Sequence, residues 1–147
     1  MMEIKLVTEH KKDYLPLLLM ADPCENMIDR YLEAGDLFVL FEDEKPASVA
    51  VVNTFNEAEC ELKNLATSEV LQGRGYASEL VRYIFHFYQR RYQAMYVGTS
   101  ESMTSFYERF GFVPSHIVKN FFTDNYPEPI FEDGRQCIDM VYLKKKL

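Results

Sequence analysis

Apolar and polar residues alternate over residues 2–8, the period of a strand with one buried face. A helical stretch follows to about Met20, with Pro16 placed in its first turn, where a missing N–H does no harm. "ADPCENMIDRYLEAG" carries the signals of a second helix: Asp22 as cap, Pro23 at the first position, Gly35 at the end, and one apolar face of Met27, Ile28, Tyr31 and Leu32. Residues 36–42, 47–54 and 57–67 read as three strands joined by short turns, so hairpin pairing is the simplest connection. The period then lengthens. Residues 73–92 place Ala77, Leu80, Val81, Ile84, Phe85 and Tyr88 on one helical face, and residues 93–97 form a short strand. Strand, helix, strand without a hairpin turn implies a parallel pair with a right-handed crossover. A helix over 101–110 stacks Met103, Phe106, Tyr107 and Phe110 and stops at Gly111. Residues 112–122 and 138–143 supply two closing strands, and "TDNYPEPIFEDGRQ" forms a long acidic connection between them. The expected fold is α/β: one domain over residues 1–147, with a mixed, mostly antiparallel sheet, a central βαβ parallel pair and flanking helices.

Charge narrows the partners. Sixteen Lys plus Arg against 23 Asp plus Glu leave a net −7. That argues against broad nucleic-acid binding, which needs a basic face. It suits a cationic small partner such as an amine, and it suits plain solubility equally. The aliphatic run over 15–20 is broken by Pro16 and too short to span a bilayer, so no membrane partner is expected, and no secretory signal is read. Cys24, Cys60 and Cys137 are odd in number and unrelated in spacing, with no CxxC and no accompanying histidine pair. Reduced thiols in a cytoplasm fit them, and no metal site is expected.

Candidate chemistry begins at "LQGRGYAS". Glycines just ahead of a helix let backbone N–H groups approach an anion, and the helix end behind them favours negative charge. A P-loop would need GxxxxGK followed by Ser or Thr, and none is present. A dinucleotide fingerprint would need a third glycine where Ser78 stands. The pattern that remains is Gln-x-x-Gly-x-Ala, met by Gln72, Gly75 and Ala77; an ordinary glycine-rich turn would look similar.

"LATSEVLQGRGYASELV" followed about thirty residues later by "FYERFGF" resembles the GNAT superfamily of acyl-CoA-dependent N-acetyltransferases. The order of elements fits that family over nearly the whole chain. The resemblance implies acetyl-CoA as cofactor, with CoA as product, and a primary amine as acceptor, on a small molecule or a protein. It implies a pyrophosphate loop at Gln72, Gly73, Arg74, Gly75, Tyr76, Ala77 and Ser78. It implies that Leu65, Ala66 and Thr67 pair with the pantetheine arm as a substitute strand, and that Tyr107 is the general acid. Otherwise Tyr107 is a core tyrosine. Ser100 stands where the family often has an asparagine on the pantetheine; it serves there with shorter reach, or caps the next helix. A homodimer is compatible with the family, and the acceptor itself stays open.

Further points come from the residues and from the resemblance together. After Cys60 and Leu62 the next apolar residue is Leu65, three positions on instead of two, the phase slip of a β-bulge; a regular strand with a buried Asn64 is the alternative. A freed N–H near Leu65 could then hold a developing oxyanion. Glu61, eleven residues before Gln72, stands where the histone-acetylating branch carries its catalytic glutamate. It is either the base, directly or through water, or a solvated strand carboxylate. Cys60, between Glu59 and Glu61, reads as core and not as a nucleophile. The resemblance implies that the acceptor enters at residues 19–27 and 124–136, where Asp124, Glu128, Glu132 and Asp133 could draw a cation and Tyr126 or Phe131 pack on it, or where a solvated loop simply turns. Set against an enzyme stands a non-catalytic acyl-CoA-binding module, a sensor or partner platform of the same shape.

Overall fold

The structure, a computed structural model, describes all residues from 1 to 147. Nine strands occur: β1 (Met2–Val7), β2 (Asp36–Glu42), β3 (Lys45–Thr54), β4 (Glu59–Thr67), β5 (Ala94–Thr99), β6 (Val113–Val118), β7 (Ile130–Glu132), β8 (Arg135–Cys137) and β9 (Met140–Lys146). Seven form one sheet in the order β1-β2-β3-β4-β5-β9-β6, and β7 and β8 make a separate hairpin. Every pairing is antiparallel except β4 with β5. The α/β class and the central parallel pair match the sequence reading.

Helices cover both faces. α1 (Leu15–Ala21), α2 (Glu25–Ile28) and the turns after α2 bury Leu18, Ile28 and Leu32 against Leu37, Val39, Val49 and Val51. On the other face α3 (Tyr76–Tyr88) and α4 (Thr104–Glu108) bury Leu80, Ile84, Tyr88 and Tyr107 against Phe38, Leu40, Ala50, Val52 and Leu62. Successive residues of β2 point into opposite layers, so the strand is apolar without alternation, as expected of one covered on both sides.

Three elements differ from expectation. The helix expected over 22–35 keeps helical geometry only through α2, then runs as turns to Gly35. Asp22 does not cap it; Cys24 takes the N-cap position and the Asp22 side chain turns inward. Gly35 does end the segment, because a Cβ there would collide with the Asn53 side chain and the Tyr31 carbonyl. The closing strand stops at Val118, since Asn120 adopts a left-handed conformation (φ 59°) and starts α5 (Phe121–Asn125). The acidic connection is not all loop: Asp133 and Gly134, both at positive φ, turn β7 into β8. Asp-Gly just after Ile130 and Phe131 was the available signal for that hairpin.

Lys11 tethers the irregular segment. Its buried ammonium donates to the carbonyls of Leu32 (3.1 Å), Glu33 (3.1 Å) and Gly35 (2.7 Å). Charge-assisted bonds of this kind satisfy carbonyls that a continuous helix would have paired internally. Lys11→Met is expected to lower stability by about 2–3 kcal/mol, read as a shift in the urea midpoint with unchanged slope.

Candidate active site

The site grows from a defect in β4. Asn64 pairs with Val51 and Leu62 with Val52, which leaves Lys63 without a partner on β3: the bulge predicted from the apolar phase slip is present. Leu62 and Leu65 therefore both pack toward α3, while Asn64 and Ala66 face α1. On its other edge β4 pairs with β5 only from Glu59 to Leu62. Beyond that point the two parallel strands part, and the backbone of β4 from Lys63 onward faces a wedge instead of a neighbour.

The glycine turn lies at the end of β4. Gly73 (φ 81°) and Gly75 (φ 84°) both need the left-handed region, and a Cβ on either would meet nothing within 4 Å. The amides of residues 73–78 find no acceptor within the chain. Six N–H groups are thus left unpaired at the start of α3, whose dipole is positive at that end. The Gln72 side chain donates to the Thr67 carbonyl at 3.1 Å and ties the turn to the strand. A cleft of about 630 Å³ runs from this turn along Leu65, Ala66 and Thr67, past Gln72, Gly73, Gly75, Tyr76, Ala77 and Ser78, to Tyr107. Arg74 is exposed outside it, and Arg109 lines it from α4.

Tyr107 closes the inner end. It is 8 % exposed, its ring lies edge-on to Phe106 and Phe112, and burial alone pushes its phenol well above the ordinary 10.0. Its hydroxyl is thus neutral, a proton donor with no protein partner. Glu61 stands apart from this cleft, on the other side of β4, where Lys63 (3.3 Å) and the Tyr142 hydroxyl (3.1 Å) donate to its Oε2. Cys60 is fully buried, and desolvation pushes its thiol up to about 12, which removes it as a nucleophile. Ser100 does not line the long cleft: its hydroxyl donates to Glu132 Oε2 at 2.6 Å, alongside Ser102. Nor does its side chain cap the helical turn it precedes.

Residues 33–114 match the profile of the acetyltransferase (GNAT) domain. The chain is 33% identical over 97% of its length to an uncharacterized N-acetyltransferase, YvbK, of Bacillus subtilis strain 168, and covers 94% of it. The chain belongs to the GNAT acetyltransferase family. It is also similar to a crystal structure of a GNAT acetyltransferase from Elizabethkingia anophelis with acetyl-CoA bound (33% identity, TM-score 0.94, 99% of this chain and 98% of that one). A second solved structure, an IAA acetyltransferase from Bacillus cereus ATCC 14579, is 29% identical with TM-score 0.93 and full coverage of both chains.

This GNAT chain has a polar cluster on the far side of the bulge that sequence reasoning missed. Asp22, 7 % exposed, accepts from the Tyr31 hydroxyl (2.9 Å) and the Tyr126 hydroxyl (2.8 Å). Asn64 donates to the same Tyr31 oxygen (3.1 Å) and to the Leu18 carbonyl (3.0 Å). Burial and the Asp22 carboxylate hold both tyrosines well above their ordinary range, so both stay donors. A cavity of about 270 Å³ joins this cluster to Tyr107, with Leu65 and Met103 shared with the long cleft. Beyond it lies an outer chamber of about 320 Å³. Gly98 borders both; a Cβ there would sit 2.5 Å from the Met140 sulfur and 2.9 Å from the Tyr142 ring, so only glycine leaves the passage its width. Of the acidic connection, Tyr126 and Glu132 reach the inner cavity, whereas Asp124, Glu128 and Asp133 are exposed and Phe131 borders a separate outer groove. No helix is long and apolar enough to cross a membrane.

Proposed function

We propose that this N-acetyltransferase moves an acetyl group from acetyl-CoA to a primary amine by direct attack in a ternary complex. The observation that carries the reading is the set of six unpaired amides over residues 73–78, opening onto a cleft that ends at a protonated, unpartnered Tyr107. The cradle fits the donor on its own terms. A diphosphate accepts hydrogen bonds without supplying any, and these amides with a helix end behind them satisfy it with little need of charged side chains. Acetyl-CoA, when bound, supplies the acetyl group as a thioester.

The chain's own groups divide the remaining work. Gln72, Gly73, Arg74, Gly75, Tyr76, Ala77 and Ser78 hold the phosphates. Leu65, Ala66 and Thr67, unpaired on the side of β5, offer strand-like backbone contacts along the wedge, and an N–H near Leu65 faces developing negative charge. The amine nitrogen forms the new C–N bond as the C–S bond breaks, and the departing sulfur takes the Tyr107 proton. The amine's own proton leaves toward Glu61 through water, because Glu61 lines the outer chamber and not the inner cavity. Ser100 has no part in this account. The test is thiol release from acetyl-CoA across a panel of amines. Acceptor-dependent release is expected, with kcat about tenfold or more lower in Glu61→Gln at neutral pH and restored as pH rises. Tight CoA binding with no release from any amine would instead make the protein a binding module.

A further inference from the structure

Four charged side chains line the outer chamber: Asp22, Arg30, Glu61 and Lys63. Their formal charges cancel, but their pairing is uneven. Lys63 and Glu61 neutralise each other at 3.3 Å. Asp22 meets no cation and Arg30 meets no carboxylate anywhere in the chain. Asp22 is more than nine-tenths buried, and its only side-chain donors are two neutral phenols. A buried carboxylate without a counter-charge is costly, so the site is set for a cation that the chain itself does not provide. Arg30 is exposed and solvated, and its guanidinium, free of any carboxylate of the chain, has a planar fork that suits one.

The two unpaired charges sit at different depths. Asp22 lines both the chamber and the inner cavity that holds Tyr107, whereas Arg30 lines the chamber alone. A ligand bearing both charges would therefore point its amine inward, toward the reacting end, and its carboxylate outward. Between them Met27, Leu62, Phe121 and Met140 form an apolar wall. At about 320 Å³ the chamber stands at the small end of the roughly 300–1,000 Å³ common for ligand clefts. A lysine side chain of a protein would bring a cation and leave Arg30 unanswered. A polyamine would bring several cations to a wall whose charges already balance.

We propose that the acceptor is a small aminocarboxylate, its ammonium docked on Asp22 and its carboxylate paired with Arg30; this rests on the transferase reading above. Tyr31 and Tyr126 are positioning residues, which fix the Asp22 carboxylate through their hydroxyls. Asp22 orients the amine and Arg30 sets the selectivity.

The experiment uses the full chain with acetyl-CoA and matched sets of acceptors: each protein amino acid, its carboxamide, and the amine left after removal of the carboxyl group. Thiol release should favour at least one free amino acid over its two partners by roughly tenfold or more in kcat/KM. Arg30→Leu, an exposed position that the fold does not depend on, should bring that preference close to parity through KM, with the KM for acetyl-CoA unchanged. Equal or better use of the carboxamides and simple amines overturns the proposal alone. So does a carboxylate preference that survives Arg30→Leu. No release with any acceptor overturns the transferase reading and the proposal with it.

Discussion

Replacing Gly75 by aspartate is expected to weaken CoA binding by roughly 100-fold or more while leaving the protein folded. The structure separates the two effects. A Cβ at residue 75 meets no protein atom within 4 Å, and aspartate tolerates the left-handed backbone (φ 84°) better than most residues. What changes is the cradle. A carboxylate would stand among the amides of residues 73–78, offering negative charge where the diphosphate has to sit, and two charges about 4 Å apart near a protein surface repel by about 4 kcal/mol. Calorimetric titration with CoA reads the affinity, and thermal unfolding without ligand checks the fold. Gly75→Ala makes the control: strained by the same dihedral but uncharged, it should retain much more of the affinity. Equal affinity in Gly75→Asp and the wild type would remove the glycine turn from the cofactor site.

The second large effect is expected at Tyr107. Tyr107→Phe should lower kcat by about 10²-fold or more, with CoA affinity changed by less than about twofold. The hydroxyl has no protein partner, so its removal leaves no buried group unsatisfied, and the ring contacts with Phe106 and Phe112 survive. Because burial holds the phenol above its ordinary range, the acid stays protonated through neutral and mildly alkaline pH, and loss of activity above pH 8 should not trace to it. Steady-state kinetics beside direct CoA binding checks the prediction. Parallel losses in turnover and affinity would assign Tyr107 a packing role.

Much of the glycine turn was legible because its signals are local. Gln72, Gly75 and Ala77 lie in one short stretch, and glycine is demanded there by dihedrals set within a few residues. The bulge was legible for the same reason: a three-residue step from Leu62 to Leu65 breaks a period of two, and only an extra residue restores Leu65 to the face of Leu62. The surroundings of Ser100, which lines the inner cavity with Leu65 and Tyr107, were not legible in this way. The residue that claims its hydroxyl, Glu132, is 32 positions away, on a hairpin that the sequence presented as loop.

The acceptor side is the opposite case. Asp22 looked like a helix cap because it precedes Pro23 and an apolar-periodic run. In the folded chain its carboxylate is taken by Tyr126, 104 residues later, and by Tyr31 from a segment that did not stay helical. Tyr31 looked like one member of an apolar stripe, yet its hydroxyl also meets Asn64 at the bulge. By itself, then, the order of residues determined the alternating layers, the parallel pair, the bulge and the glycine turn, since each follows from a period or a dihedral preference spanning a few neighbours. Only the tertiary structure decided which charges stay unpaired and line the outer chamber, because a side chain's electrostatic partner depends on burial and long-range contact, and neither is written in local sequence.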